Sequence, residues 1–297
     1  RARRRRARLI VFSCALVFLC LAAGGIAYAS YQPRFSIGTI RVEGTRELSS
    51  EDVHAFVQER LAQRTLPFIS PRAIFAYDRA GIERALSDFS PRIASAHASR
   101  ASLFSTELVV ALREREPYAL WCEDDEIEMR KAKPSSHFSL VGAVVKDERR
   151  CFVLDESGFI FALMGMSTAT STASSTQRAT AYEFRGGIAT SSPPHPTGQY
   201  VVRAQFAGIL ALLNLLGQAG FSSQGVRIEN DSDISISLVQ GFLVRASFGQ
   251  DAPALVRDLE LILSADPLKV ATSSIEYIDL RFGDRVYFKL KGEGESR

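Results

Sequence analysis

Residues Leu9 to Tyr28, LIVFSCALVFLCLAAGGIAY, run for twenty positions without a charge. As a helix rising about 1.5 Å per residue, such a stretch spans roughly 30 Å, the hydrocarbon thickness of a bilayer. Six arginines crowd the residues before it, at positions 1, 3, 4, 5, 6 and 8. Flanking arginines on one side only predict a basic tail (1–8) in the cytoplasm, a transmembrane helix (9–29) and the rest of the chain outside. Ala27-Tyr28-Ala29 has the small-x-small form of a signal-peptidase site, and a cleaved signal peptide is the alternative. The apolar stretch exceeds the ~7–15 residues of a signal-peptide core, which favours a retained anchor. Leu19 before Cys20 argues against a lipoprotein signal. The chain opens on Arg rather than Met, so more cytoplasmic tail is expected ahead of it.

The arginine tail also explains the overall charge. The 297 residues carry a formal net charge of +3, but without those six arginines 30 Lys and Arg face 33 Asp and Glu, a net of −3. A nucleic-acid footprint needs a basic face on the folded part, and none is evident. With 46% hydrophobic and 23% charged residues, the composition is that of a globular protein rather than a disordered or fibrous one. The length allows two domains, or one large one.

Beyond the anchor, Phe35 to Gly44 alternates apolar and polar residues as a half-buried strand does. Ser49-Ser50-Glu51-Asp52 supplies a helix cap and first-turn acids. Val53, Phe56, Val57 and Leu61 then follow at helical spacing. A second helix begins near Asp78, with Ile82, Ala85 and Leu86 on one face, and stops before Ser90-Pro91. Ile93 to Ala101 and Thr106 to Arg113 read as strands. Strand, helix, helix, strand, strand makes a compact module over 35–116, with both helices on one face of a small sheet.

After Pro117 the pattern changes. Tyr118–Cys122 reads as a strand, Glu123–Arg150 as a charged connection, and Cys151–Leu163 as a hairpin turning at Asp155-Glu156-Ser157-Gly158. Ser167 to Thr180 is almost entirely Ser, Thr and Ala and reads as a loop; Ser191 to Pro196 is a breaker. Gly186-Gly187 reads as a turn. Val201 to Gln218 carries an apolar core helix ending at Gly220. Strands follow at Gly225–Glu229, Asp233–Val239 and Phe242–Phe248, with Gln240-Gly241 as a turn. A helix over Pro253–Ser264 opens at Asp251. Ile275–Arg281 and Arg285–Leu290 close a mixed, antiparallel-rich second domain over 117–291, before a polar tail at 292–297. The fold class is α+β with one N-terminal transmembrane helix.

Chemistry-bearing patterns are sparse. His54, His97, His137 and His195 lack the paired spacing of a zinc site. No phosphate-binding glycine loop, G-x-S-x-G elbow or H-E-x-x-H occurs. Glu123 to Glu126 and Asp155-Glu156 read as solvated loop charge. No catalytic residue, cofactor, metal or small-molecule substrate is expected. Cys14 and Cys20 lie in the membrane segment. Cys122 and Cys151 lie outside it beside strand-like runs, and are either a candidate cross-strand disulfide or two small buried hydrophobes.

Several stretches together carry a family likeness. Phe35–Gly44 with the capped helix after it resembles the start of a POTRA domain. The order Asp78, Ile82, Leu86, Pro91, Ile93, Ala96, Arg100, Leu108, Val110 and then Arg115-Glu116-Pro117-Tyr118-Ala119-Leu120-Trp121 is similar to that of bacterial division proteins of the FtsQ/DivIB family. Cys151 to Gly158 resembles their L-V-D-E-x-G hairpin, and Tyr277-Ile278-Asp279-Leu280-Arg281-Phe282 their terminal D-L-R-Y strand. Tyr182 to Gly187 stands where the family has a segment bearing proline and leucine.

The resemblance implies a non-catalytic, single-pass scaffold of the divisome in the cytoplasmic membrane at the division septum. It would recruit FtsB/FtsL-like bitopic partners and link early division components to septal peptidoglycan synthesis. The alternative is a POTRA-containing envelope assembly or secretion factor. Partner binding is expected through a terminal strand extended by β-augmentation. The candidate residues are Tyr277, Ile278, Asp279, Leu280, Arg281, Phe282, Val286 and Phe288. Ile278, Leu280 and Phe282 should share one face, and Tyr277, Asp279 and Arg281 the other.

Overall fold

The computed structural model describes residues 2–63, 68–123, 150–164, 182–188, 196–265, 274–283 and 285–292. The Ser/Thr-rich stretch 167–180, residues 124–149 of the charged connection, 191–195 of the breaker, and 293–297 lie outside the described residues, as do His137 and His195. The chain divides into two compact units, Arg1–Arg115 and Glu116–Arg297, and the architecture is α+β.

The first unit begins with helix α1 (Ala2–Ser30). Its stretch Ile10–Ser30 has a mean hydropathy of 2.5 and no buried side chains over its most apolar window, so by length and composition it can cross a membrane. Strand β1 (Thr39–Glu43) follows, then helices α2 (Ser50–Ala62) and α3 (Arg79–Phe89), and strands β2 (Ile93–Arg100) and β3 (Glu107–Glu114). The sheet order is β1-β3-β2, with β3 parallel to β1 and antiparallel to β2.

Both helices begin at side-chain caps. Ser49 Oγ accepts from the Asp52 N–H at 3.3 Å, and Asp78 Oδ1 from the Gly81 N–H at 2.8 Å, each satisfying a donor the helix leaves orphaned. Val53, Val57 and Leu61 on α2 and Ile82 and Leu86 on α3 are buried against Leu108, Val110 and Leu112 of β3. The chain leaves β1 through Gly44, whose φ of +85° and closeness to the Leu112 carbonyl leave no room for a Cβ. Buried Glu114 accepts hydrogen bonds from the N–H groups of Arg46, Glu47 and Leu48 and so holds that loop.

Among the described residues the second unit is built on nine strands: β4 (Ala119–Cys122), β5 (Cys151–Leu154), β6 (Ile160–Leu163), β7 (Glu183–Gly186), β8 (Ser223–Ile228), β9 (Asp233–Leu238), β10 (Leu243–Ser247), β11 (Ile275–Phe282) and β12 (Arg285–Leu290). They form one sheet in the order β12-β11-β10-β9-β8-β7-β4-β5-β6. Five pairings are antiparallel; β10/β11, β7/β8 and β4/β7 are parallel. Helices α4 (Phe206–Gln218) and α5 (Ala252–Ser264) share a core with the sheet. Phe206, Ile209, Leu213 and Leu216 of α4 and Leu259 of α5 are buried with Phe184, Ile236, Ile278 and Leu280.

The β5–β6 turn stands where expected, but Asp155 is buried within it rather than being a solvated loop charge. Asp155 Oδ1 accepts from Ser157 N–H, Ser157 Oγ–H and Phe159 N–H, an Asx-type turn. Gly158, at φ +80°, lies against the Phe206 ring where a Cβ would collide. Two other expectations change. Helix α4 starts at Phe206 rather than Val201, because Val201 turns into the core instead and its N–H bonds the Gly158 carbonyl. Glu183–Gly186 is an interior strand, with Gly186 and Gly187 at positive φ closing it. Only Phe184 of that strand is fully buried, too short a pattern to stand out as alternation.

Candidate functional site

The sequence-predicted residues converge on the β11–β12 hairpin at one end of the nine-stranded sheet. One expectation needs correction. Tyr277 to Phe282 was expected to be the strand a partner extends, yet β11 is flanked by β10 on one side and β12 on the other. Its backbone is engaged on both sides. The free edge is β12, which among the described residues has no strand beyond it.

Side-chain alternation on β11 divides the residues as follows. Ile278 and Leu280 are buried in the helix-covered core, and Val286 of β12 packs against that core. Ile278 pairs with Phe288, which is 44% exposed, so the apolar face runs out past the core toward the free edge. Phe282 is half-exposed, and its ring meets Tyr287 edge-on at 5.2 Å between centroids. Tyr287 was not among the expected residues. The signal that could have found it is its cross-strand pairing with Asp279, visible only once the register is known.

The opposite face holds a polar network spanning three strands. Arg281 donates through Nε and Nη2 to the two Asp279 oxygens at 2.9 and 2.7 Å, and through Nη1 to Asp233 Oδ2 on β9 at 2.8 Å. Ser247 on β10 donates to Asp233 Oδ1 at 2.8 Å. Gln250 then ties the loop after β10 to the Leu280 carbonyl of β11 at 2.9 Å. Tyr277 lies under Arg245, whose guanidinium carbon is 4.1 Å from the ring centroid.

Electrostatics reinforce this geometry. Asp279 feels burial first, which pushes its carboxyl up, but the Arg281 hydrogen bonds and the charges of Arg281 and Arg245 together bring it below its ordinary value. Asp233 is also lowered, foremost by the Ser247 hydrogen bond and then, against burial, by Arg281 and Asn230. Arg281 is raised, chiefly by its hydrogen bonds to Asp279. A carboxylate lowered in the folded state contributes stability above its unfolded pKa of about 4, and that contribution is lost as pH falls through the folded value.

Arg281→Ala is therefore expected to cost about 2 kcal/mol at pH 7, less than the ~3–5 of a fully buried pair because the Arg281 side chain is 27% exposed. The deficit relative to the unchanged protein should shrink toward pH 3, measured by denaturant titration across pH. A deficit independent of pH would reject the ion-pair account.

Cys122 and Cys151 are disulfide-bonded, directly opposite each other in the β4–β5 register with Cα atoms 4.1 Å apart. Cys14 and Cys20 are free and exposed on α1. Among the described residues, no group of three or more His, Cys, Asp or Glu is arranged to hold a metal. The open groove over β7–β10 is lined by Glu183 and Arg185, which pair with each other at 2.6 Å. No protein-family model matches the chain, and no curated protein matches it.

Proposed function

We propose that this chain is a single-pass scaffold of the bacterial divisome with the organisation of the FtsQ/DivIB family. In this reading α1 anchors it in the cytoplasmic membrane, with the arginine tail inside. The strand-helix-helix-strand-strand unit is a POTRA-type domain, and the nine-stranded unit recruits FtsB/FtsL-like bitopic partners at the septum. Support for the first domain comes from its sheet order, β1-β3-β2, with α2 and α3 packed on it.

The observation that carries the reading is the edge strand β12. An edge strand offers outward N–H and C=O groups to an incoming segment, and here half-exposed Phe282, Tyr287 and Phe288 border it. Main-chain pairing would supply affinity, and the aromatic side chains specificity. The charge pair Lys289–Glu276, 3.0 Å apart, lies beside the same edge and would set register. The partner adds a strand to an existing sheet, a role that needs no reactive side chain.

Point substitutions test this better than deletion, because Ile275, Ile278 and Leu280 belong to the core. Tyr287→Ser with Phe288→Ser, which puts no carboxylate opposite Asp279, is expected to weaken capture of a bitopic coiled-coil division partner by the full-length protein about tenfold or more, with only a small drop in thermal stability. A fluorescent fusion of the unchanged chain should form a midcell band, and the double variant should recruit the partner there poorly. Undiminished capture, or a uniform envelope signal from the unchanged chain, would overturn the proposal.

A further inference from the structure

Six large apolar side chains of the Arg1–Arg115 unit stand exposed outside α1 among the described residues: Tyr31, Phe68, Phe75, Phe89, Leu103 and Phe104. Phe68, Leu103 and Phe104 are each more than three-quarters exposed, which is costly for side chains that gain by leaving water. Their placement is uneven. Phe89 lies at the C-terminal end of α3, with its ring 4.6 Å from that of Phe56. The other five sit at the opposite end, where the chain emerges from α1.

Backbone hydrogen bonds establish that clustering. The Ser70 N–H donates to Ser30 Oγ at 3.0 Å, so the loop bearing Phe68 is tied to the last residue of the apolar helix. Ser30 itself is fully buried. The Ile37 N–H donates to Arg72 O at 2.8 Å and the Ile74 N–H to Phe35 O at 2.9 Å, which ties the Phe75 segment to the stretch entering β1. On the other side of that stretch, the Gly38 N–H donates to Thr106 O at 2.9 Å. That bond sets the tip of the β2–β3 hairpin, with Leu103 and Phe104, beside the same entry segment. Arg100 Nη1 donates to the Leu103 carbonyl at 2.7 Å and steadies the tip.

We infer that this end of the unit seats on the lipid surface of the membrane that α1 crosses, with Phe68, Leu103 and Phe104 entering the interfacial layer. The inference rests on α1 as a membrane span and is independent of any role in division. Depth follows from the helix. Its apolar stretch runs to Ser30, and exposed Tyr28 and Tyr31 mark the level at which tyrosine favours the interface. Ser70, bonded to Ser30, then lies at headgroup level, and Phe68 is two residues away. Apolar side chains there reach about 5–10 Å into the boundary between headgroups and acyl chains. The surrounding charge suits anionic phospholipid. Arg34, Arg72 and Arg100 border these loops, against Glu107 at the start of β3 and Asp78, which is occupied in capping α3.

The consequence is orientational. A unit held by one helix alone can swing about its connection. A unit held by a helix and two apolar loops presents fixed faces to anything that approaches along the membrane.

The test uses the full-length chain with Cys14→Ala and Cys20→Ala, the Cys122–Cys151 bond kept oxidised, and one environment-sensitive fluorophore. The label is placed through Ser102→Cys at the hairpin tip, or through Asp88→Cys near the far end of α3 as the reference. In vesicles of phosphatidylethanolamine and phosphatidylglycerol containing headgroup-proximal spin-labelled lipid, the label at 102 should be blue-shifted and quenched severalfold more than the label at 88. Adding Leu103→Glu and Phe104→Glu should bring quenching at 102 down toward that at 88. Equal quenching at 102 and 88, or quenching at 102 that survives the double substitution, would overturn the seating. Vesicle flotation of the unlabelled chain separates the two readings. A chain that fails to float removes the membrane span and the seating together, and one that floats with an unquenched label removes the seating alone.

Discussion

Phe184→Ala is expected to lower the unfolding free energy of the Glu116–Arg297 unit by about 3–5 kcal/mol. Phe184 is fully buried, with its ring 5.1 Å from that of Phe206 on α4. It is the only fully buried residue of β7, which has just four residues and pairs in parallel with β4 through Trp121↔Phe184 and with β8 through Phe184↔Val226. Truncation removes both the apolar contact and the wedge between this strand and the helix, and a strand hydrogen-bonded to β4 and β8 on its two edges cannot shift to fill the void. The Trp121 Nε1–H bond to the Gly186 carbonyl, 2.9 Å long, depends on the same strand. The protein's single tryptophan therefore reports on the site directly. Denaturant titration followed by Trp121 fluorescence measures the loss. Phe184→Leu, which keeps most of the apolar volume, should lose much less. A loss under about 1 kcal/mol for alanine would mean that β7 is not a packed interior strand.

Breaking the Cys122–Cys151 bond is expected to cost about 3–4 kcal/mol. The bridge closes a loop of sequence separation 29, and in the chain-entropy account a loop of that length restricts the unfolded chain by roughly this amount. It joins the end of β4 to the start of β5, so it also holds the pair that continues the sheet beyond β7. Reductant should lower the denaturation midpoint of the unchanged protein and leave that of the Cys122→Ala, Cys151→Ala protein unmoved. Alanine is the better replacement here, since Cys122 is almost fully buried and a serine hydroxyl would add its own desolvation cost. A midpoint indifferent to reductant would reject the stabilising role.

Local pattern made several elements legible. Val53, Val57 and Leu61 recur at helical spacing because one stripe of α2 must be buried, and Ser49 and Asp78 precede their helices because the first N–H groups need acceptors. The β5–β6 turn was readable for a similar reason, since Asp155 and Gly158 satisfy it within four residues. Interactions between distant positions left no such trace. Nothing near Arg281 in sequence announces Asp233, 48 residues away, and nothing near Glu114 announces the loop 68 residues earlier whose N–H groups it accepts. β7 escaped because four residues with only Phe184 fully buried are too short for an alternation to show. The candidate site was legible as a segment but not as an edge, because being an edge depends on which strands pair.

The sequence by itself determined the one N-terminal helix long and apolar enough to cross a membrane, the helical and strand periods, and the turns. Each of these rests on forces acting within a few residues: desolvation of one face, capping of orphaned N–H groups, and the φ freedom of glycine. Tertiary structure decided the rest. It set the order of nine strands and left β12 rather than β11 at the rim. It joined Asp233, Asp279 and Arg281 across β10. It also gathered Phe68, Leu103 and Phe104 at the mouth of α1. Those outcomes come from register and long-range closure, where residues far apart in the chain share one buried surface or one charge, and no local period encodes them.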